Sequence, residues 1–196
     1  MKTIEIIKGI NPIYEEFKTP YHLRYHMRLV HDVAYHIAKA SGTETELIQA
    51  TCLVHDLGNV LKKHDRQIIN YPGQEKAVAI AASYGQHPNE ATIGMLQSIQ
   101  TDGSVVELVR QMEPTNWSSL IDSNNWLAKI CAYADMRVAP TGIATLEERK
   151  DEVQKRTGKV HTEYYEVALE MQRQVLRRAN MDPACIRRQH YARTLV

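Results

Sequence analysis

Six of the nine histidines, His22, His26, His31, His36, His55 and His64, fall between positions 22 and 64, where an even spread would place about two. Imidazole gathers where a metal ion or a proton is handled near neutral pH. On a helical wheel, Leu23, Val30, Ala34 and Ile37 of the segment from Tyr21 to Ala40 form one apolar stripe. His26 lies inside that stripe, His22 flanks it one turn earlier, and Asp32 points almost directly away. In the next segment Ala50, Cys52, Leu53, Val54 and Leu57 surround the axis almost completely, and His55 and Asp56 are set into this apolar ground. A third such place follows the uncharged run from Ile130 to Ala134, which ends on Asp135. Carboxylates in buried helices are costly unless a cation compensates them. A divalent metal does so directly, and His26, His55, Asp56 and Asp135 make an N2O2 ligand set. Adjacent helical residues point about 100° apart, so His55 and Asp56 can share one ion only near a helix end, which Leu57 and Gly58 provide. The competing reading has His26 and His55 as hydrogen-bonded core histidines and each Asp paired to Arg or Lys. Three separate buried ionisable places weigh against it.

The elements that position these residues read as helices. Thr19 and Pro20 open the first, and Ser41 with Gly42 closes it. Thr43 with Glu46 forms a capping box for a second helix that ends near Gly58. Further starts are expected at Pro88, at Ser104 with Glu107, near Asn124, at Thr145 with Glu148, and at Asp182 with Pro183. Strand and hairpin signals are poor. The fold class expected is therefore all-α. A helical domain spans 1–143 (motif core about 20–140), and a C-terminal helical extension over 144–196 packs on it. That extension carries a stripe of Leu146, Val153, Val160, Tyr164, Met171 and Val175, with a break at Gly158. A homodimer seam along these helices is the alternative to packing on the domain.

With 196 residues, 43% of them hydrophobic and 24% charged, the chain has the balance of a folded domain rather than a disordered one. A net charge of +1 argues against a DNA-coating surface. The longest stretch without Asp, Glu, Lys or Arg, Ala77 to Asn89, is too short and too polar to span a bilayer. Cys52, Cys131 and Cys185 are odd in number and widely spaced, which fits a reducing cytoplasm.

The run Val54-His55-Asp56-Leu57-Gly58, after Ala50-Thr51-Cys52-Leu53, resembles the HD-domain superfamily of metal-dependent phosphohydrolases. The family pattern is an upstream His, a His-Asp doublet and a distant Asp, all on helices. His26, the doublet His55-Asp56, and Asp135 in Tyr133-Ala134-Asp135-Met136-Arg137 match it in order. A second doublet, His31-Asp32, is a decoy, because its Asp faces away from the stripe. The resemblance implies a divalent metal (Mn, Fe, Co, Ni or Mg) and hydrolysis of a nucleotide or other small phosphomonoester by metal-activated water. Asp56 or Asp135 would orient the nucleophile, and His22, His64 and Asp65 are candidates for the acid near the leaving group. Lys62, Lys63 and Arg137 are candidate phosphate contacts.

Two departures from the family stand out. Asn59 replaces a Lys that many relatives carry, and the Glu-Asp that follows the doublet in relatives hydrolysing guanosine tetraphosphate is absent. His64 and His87 formally fill the slots of a second metal. But His64 follows Asp56 by only eight residues and His87 precedes Pro88 in a loop, so one ion is expected. The alternatives are an HD-type di-iron oxygenase, or a metal- and nucleotide-binding module without turnover, for which Asn59 is the warning.

Overall fold

The computed structural model describes residues 1–62, 71–159 and 162–188. It is all-α apart from one two-stranded ribbon. The central element is α3 (Tyr21–Ala40), preceded by two short helices, α1 (Thr3–Lys8) and α2 (Ile10–Glu16). Pro20, expected as its first residue behind a Thr19 cap, is itself the N-cap, and Ser41 closes the helix as the sequence predicts, with an N–H donated to Ile37 O at 2.9 Å. The Thr43–Glu46 box does not form. The Glu44 carboxylate instead takes the N–H groups of Glu46 and Leu47, and α4 runs Glu46–Val54 behind Thr45.

Helix α4 ends at Val54, short of the Gly58 expected from sequence, and the chain turns into a 3₁₀ segment, Leu57–Leu61. A tertiary contact explains the early stop. The turn lies hard against the start of α6 (Pro88–Ser98), which follows α5 (Gln74–Ala82). Gly58 N–H donates to Thr92 Oγ1 at 2.9 Å, and a Cβ on Gly58 would fall 2.1 Å from Pro88 O. Only glycine permits so close an approach.

Helix α7 (Gly103–Gln111) is capped by Asp102, which accepts from Ser104 N at 2.9 Å, so it begins one residue before the expected Ser104. The short α8 (Trp117–Asp122) leads to α9 (Trp126–Met136), where Asn125 Oδ1 accepts from Ala128 N at 3.1 Å. After α9 comes the antiparallel ribbon Val138–Ala139 with Gly142–Ile143. Then follow α10 (Leu146–Thr157), α11 (Thr162–Ala179) and α12 (Pro183–Arg188). The Thr145–Glu148 capping box of α10 forms as expected, and Gly158 ends that helix at φ +70°.

Two apolar clusters hold the helices. One joins α3, α4 and α9 to α11 through Val30, Val33, Ile37, Ile48, Cys52, Ile130, Met171 and Val175. The other joins α1, α2, α5, α6 and α7 to α4 through Ile6, Tyr14, Ala50, Leu53, Ala77, Met95, Leu96 and Val105. Helix α4 therefore contributes to both clusters, which is the physical sense of its apolar wheel. Tyr14 ties α2 to it by donating its hydroxyl to Leu53 O at 2.8 Å, and burial pushes the phenol's pKa up. The C-terminal stripe is covered within the chain at Leu146, Met171 and Val175, while Tyr164 stays exposed and Val160 lies outside the described residues. Among the described residues no helix is long and apolar enough to cross a membrane. Cys52, Cys131 and Cys185 are all free thiols.

Candidate metal centre

His26 sits in the second turn of α3, His55 on the residue that closes α4, Asp56 one step beyond it, and Asp135 in the last turn of α9. Because α4 has just ended, Asp56 leaves helical geometry (φ −116°, ψ 18°), and its carboxylate lies beside the imidazole that precedes it. His55 is almost fully buried, while His26, Asp56 and Asp135 are each partly exposed.

The four side chains converge. Asp135 Oδ1 lies 2.9 Å from His26 Nε2 and 3.5 Å from His55 Nε2. The Asp56 oxygens divide between the histidines, Oδ2 at 3.5 Å from His26 Nε2 and Oδ1 at 3.7 Å from His55 Nε2. One ligand atom each from His26, His55 and Asp135 lies within 4.8 Å of the others. Ligands at about 2.1 Å from one ion stand about 3.0 Å apart at right angles and about 3.4 Å apart tetrahedrally. The observed separations bracket those values, so His26, His55 and Asp135 form a group that could hold a metal ion, with the Asp56 carboxylate beside both histidines.

The tautomer of His55 points the same way. Its Nδ1–H donates to Cys52 O at 2.8 Å, so in the neutral ring it is Nε2 that carries the lone pair and faces the carboxylates. That Nε2 is buried and has no hydrogen-bond partner. A buried polar atom without a partner costs about 1–3 kcal/mol, and a metal bond removes the cost. Electrostatics describe the same deficit. Burial works against a charged His55, yet the carboxylates of Asp56 and Asp135 push its pKa up to about 9. Burial likewise opposes ionisation of Asp135, and the two imidazoles still hold it well below the usual carboxylate range. The cluster asks for positive charge at its centre.

The other expected site residues are distributed differently. His22 is half-buried, its ring edge-on to Tyr71 with centroids 5.4 Å apart. Lys62 is exposed at the end of the 3₁₀ turn, and Asn59 is buried beneath it. Lys63, His64 and Asp65 lie outside the described residues. His87 directly precedes Pro88 at the start of α6, in the loop position expected.

Arg137, expected as a candidate phosphate contact, is bonded elsewhere. It does not face the cluster but is 1% exposed on the far side of α9, where Nε donates to Ala144 O at 2.6 Å and Nη1 to the Tyr133 hydroxyl at 2.7 Å. Two positions along a helix turn a side chain by about 200°, which separates Arg137 from Asp135. The decoy doublet also differs in detail. Asp32 is partly buried rather than solvent-facing, and it bonds His31 Nδ1 at 2.8 Å.

Two residues near the centre were not singled out from the sequence. Glu113, half-buried after α7, has its pKa raised by burial and by the charge of Asp56, with Lys62 opposing. Tyr71 has a buried hydroxyl without a hydrogen-bond partner. Neither belongs to a spacing pattern, so no sequence signal marked them. The chain matches no family model, no curated protein and no solved structure.

Proposed function

We propose that the protein is a metal-dependent phosphohydrolase that cleaves a nucleotide or another small phosphomonoester, with one divalent ion held by His26, His55, Asp56 and Asp135. The observation that carries this reading is the convergence of two Nε2 atoms and two carboxylates at ligand separations, around a buried His55 Nε2 with no protein partner. When bound, the ion would lower the pKa of a water towards about 7 and draw charge from a phosphoryl oxygen. The chain's own residues supply the rest. Asp56 and Asp135, which face the centre from a quite different position in the sequence each, orient the attacking water through whichever oxygen the ion leaves free. Cys52 O fixes the His55 ring in the tautomer that presents Nε2. Lys62, exposed at the rim, meets phosphate charge, and Glu113 joins His22, His64 and Asp65 as a candidate acid for the leaving oxygen.

The HD-like pattern of the sequence supports the reaction class, and His87, set in a loop ahead of α6, favours one ion over two. The experiment is elemental analysis of gently purified protein, followed by phosphate release across a panel of nucleotides with and without chelator. About one transition metal per chain and chelator-sensitive release are expected. Undiminished turnover after confirmed metal loss would overturn the reading.

A further inference from the structure

A cavity of about 560 Å³ lies between the end of α9 and helices α10, α11 and α12, apart from the His26–His55–Asp135 cluster. Arg137 lines it from inside. An arginine this deeply buried is normally paired with a carboxylate. Here the guanidinium meets only neutral acceptors among the described residues: Ala144 O, the Tyr133 hydroxyl, and Pro183 O at a long 3.5 Å. The Tyr133 hydroxyl passes the chain on to Gln172 Oε1 at 3.0 Å, which is also neutral. Three of the five guanidinium N–H groups are thus used, and among the described residues no carboxylate is paired with it. Leu146, Tyr165 and Leu169 give the cavity apolar walls.

We infer that this cavity binds a small molecule carrying one anionic group, a carboxylate or a phosphate, on an apolar body, with Arg137 as its charge partner. The site is separate from the proposed metal centre and does not depend on the reaction assigned there. A planar guanidinium with unused donors is shaped for such oxygens. The starts of α10 and α12 supply Glu147 and Ala184 to the lining and are capped by Thr145 and Asp182, so the positive charge facing the cavity is that of Arg137. Two acidic side chains set the limit on charge. Asp182 is turned to its own helix, accepting from Ala184 N at 2.7 Å, and Glu147 is exposed at the rim. They disfavour a polyanion and leave room for a single head group.

The test is calorimetric titration of the purified protein with phenylacetate, phenyl phosphate and, as the uncharged match, benzyl alcohol. Saturable binding of at least one anion is expected, at least tenfold tighter than benzyl alcohol, and which anion binds identifies the head group. Leu169 and Glu147 are exposed, so substitutions there spare the fold. Leu169→Glu, which puts a carboxylate at the mouth, should weaken binding at least tenfold while metal content stays unchanged. Glu147→Gln should strengthen it about threefold. Arg137→Gln should abolish it where the variant folds. No saturable binding by either anion, equal binding of benzyl alcohol, or affinity unaffected by Leu169→Glu would overturn the inference.

Discussion

Substituting Gly58 by alanine tests whether the turn after α4 is held in place by its contact with α6. The new Cβ would lie 2.1 Å from Pro88 O, 2.8 Å from Thr92 N and 2.9 Å from Ala91 Cβ. An ordinary C···O contact is about 3.3–3.6 Å, so the turn must retreat from α6 by more than about 1 Å. Two of the three obstructing atoms are backbone and cannot rotate aside. Overpacking costs about 1–3 kcal/mol, and this geometry belongs at the upper end. Retreat also stretches the Gly58 N–H bond to Thr92 Oγ1, for about 1 kcal/mol more. The lower chain entropy of alanine in the unfolded state returns about 0.4–1 kcal/mol. The net expectation is a loss of about 3 kcal/mol, or about 6–12 °C in Tm for a domain of this size. Urea and thermal unfolding would measure it, with Gly103→Ala as the control, because nothing lies within 4 Å of a Cβ there. Bound metal should fall alongside, since His55 and Asp56 immediately precede the displaced turn. A Gly58→Ala protein within 1 kcal/mol of the parent would refute the packing argument.

Asp56→Ala and Asp135→Asn should each remove metal retention and phosphate release together, as elemental analysis and a phosphate assay would show. Asp32→Asn should retain the metal and cost about 1 kcal/mol in urea unfolding, because the carboxylate is partly buried against His31. Chelation of the native protein should lower Tm by about 5–11 °C if the free ion stood at 100 times Kd, which corresponds to about 2.7 kcal/mol of linkage. Asn125→Ala, which deletes the cap of the helix carrying Asp135, should cost about 1 kcal/mol in the same unfolding assay.

The four candidate ligands were legible because each is an ionisable residue set in an apolar pattern on or at the end of a helix, and that pattern is local. The register of α3 and its closure at Ser41 were legible for the same reason. What sequence did not reveal was tertiary. The early stop of α4 depends on Pro88 O meeting Gly58, 30 positions away in the chain. Arg137 reads as a basic residue at a helix end, the usual solvated partner of the last carbonyls. Only the folded chain shows that Ala144 and Tyr133 enclose it. Helices α1 and α2 are too short to announce themselves and exist through packing of Ile6, Ile10, Ile13 and Tyr14.

The position of α4 between the two clusters has a kinetic consequence. A helix that contributes to both cannot open locally, because any excursion exposes apolar surface on two sides at once. Its amides should therefore exchange with solvent only at the rate of global opening, and His55, fixed to its end, is the least movable wall of the centre. Asp56 and Asp135 are the more exposed walls. An ion entering or leaving would pass by those two carboxylates, so the rate of metal exchange would follow their rotamer motion while the unfolding rate governed His55.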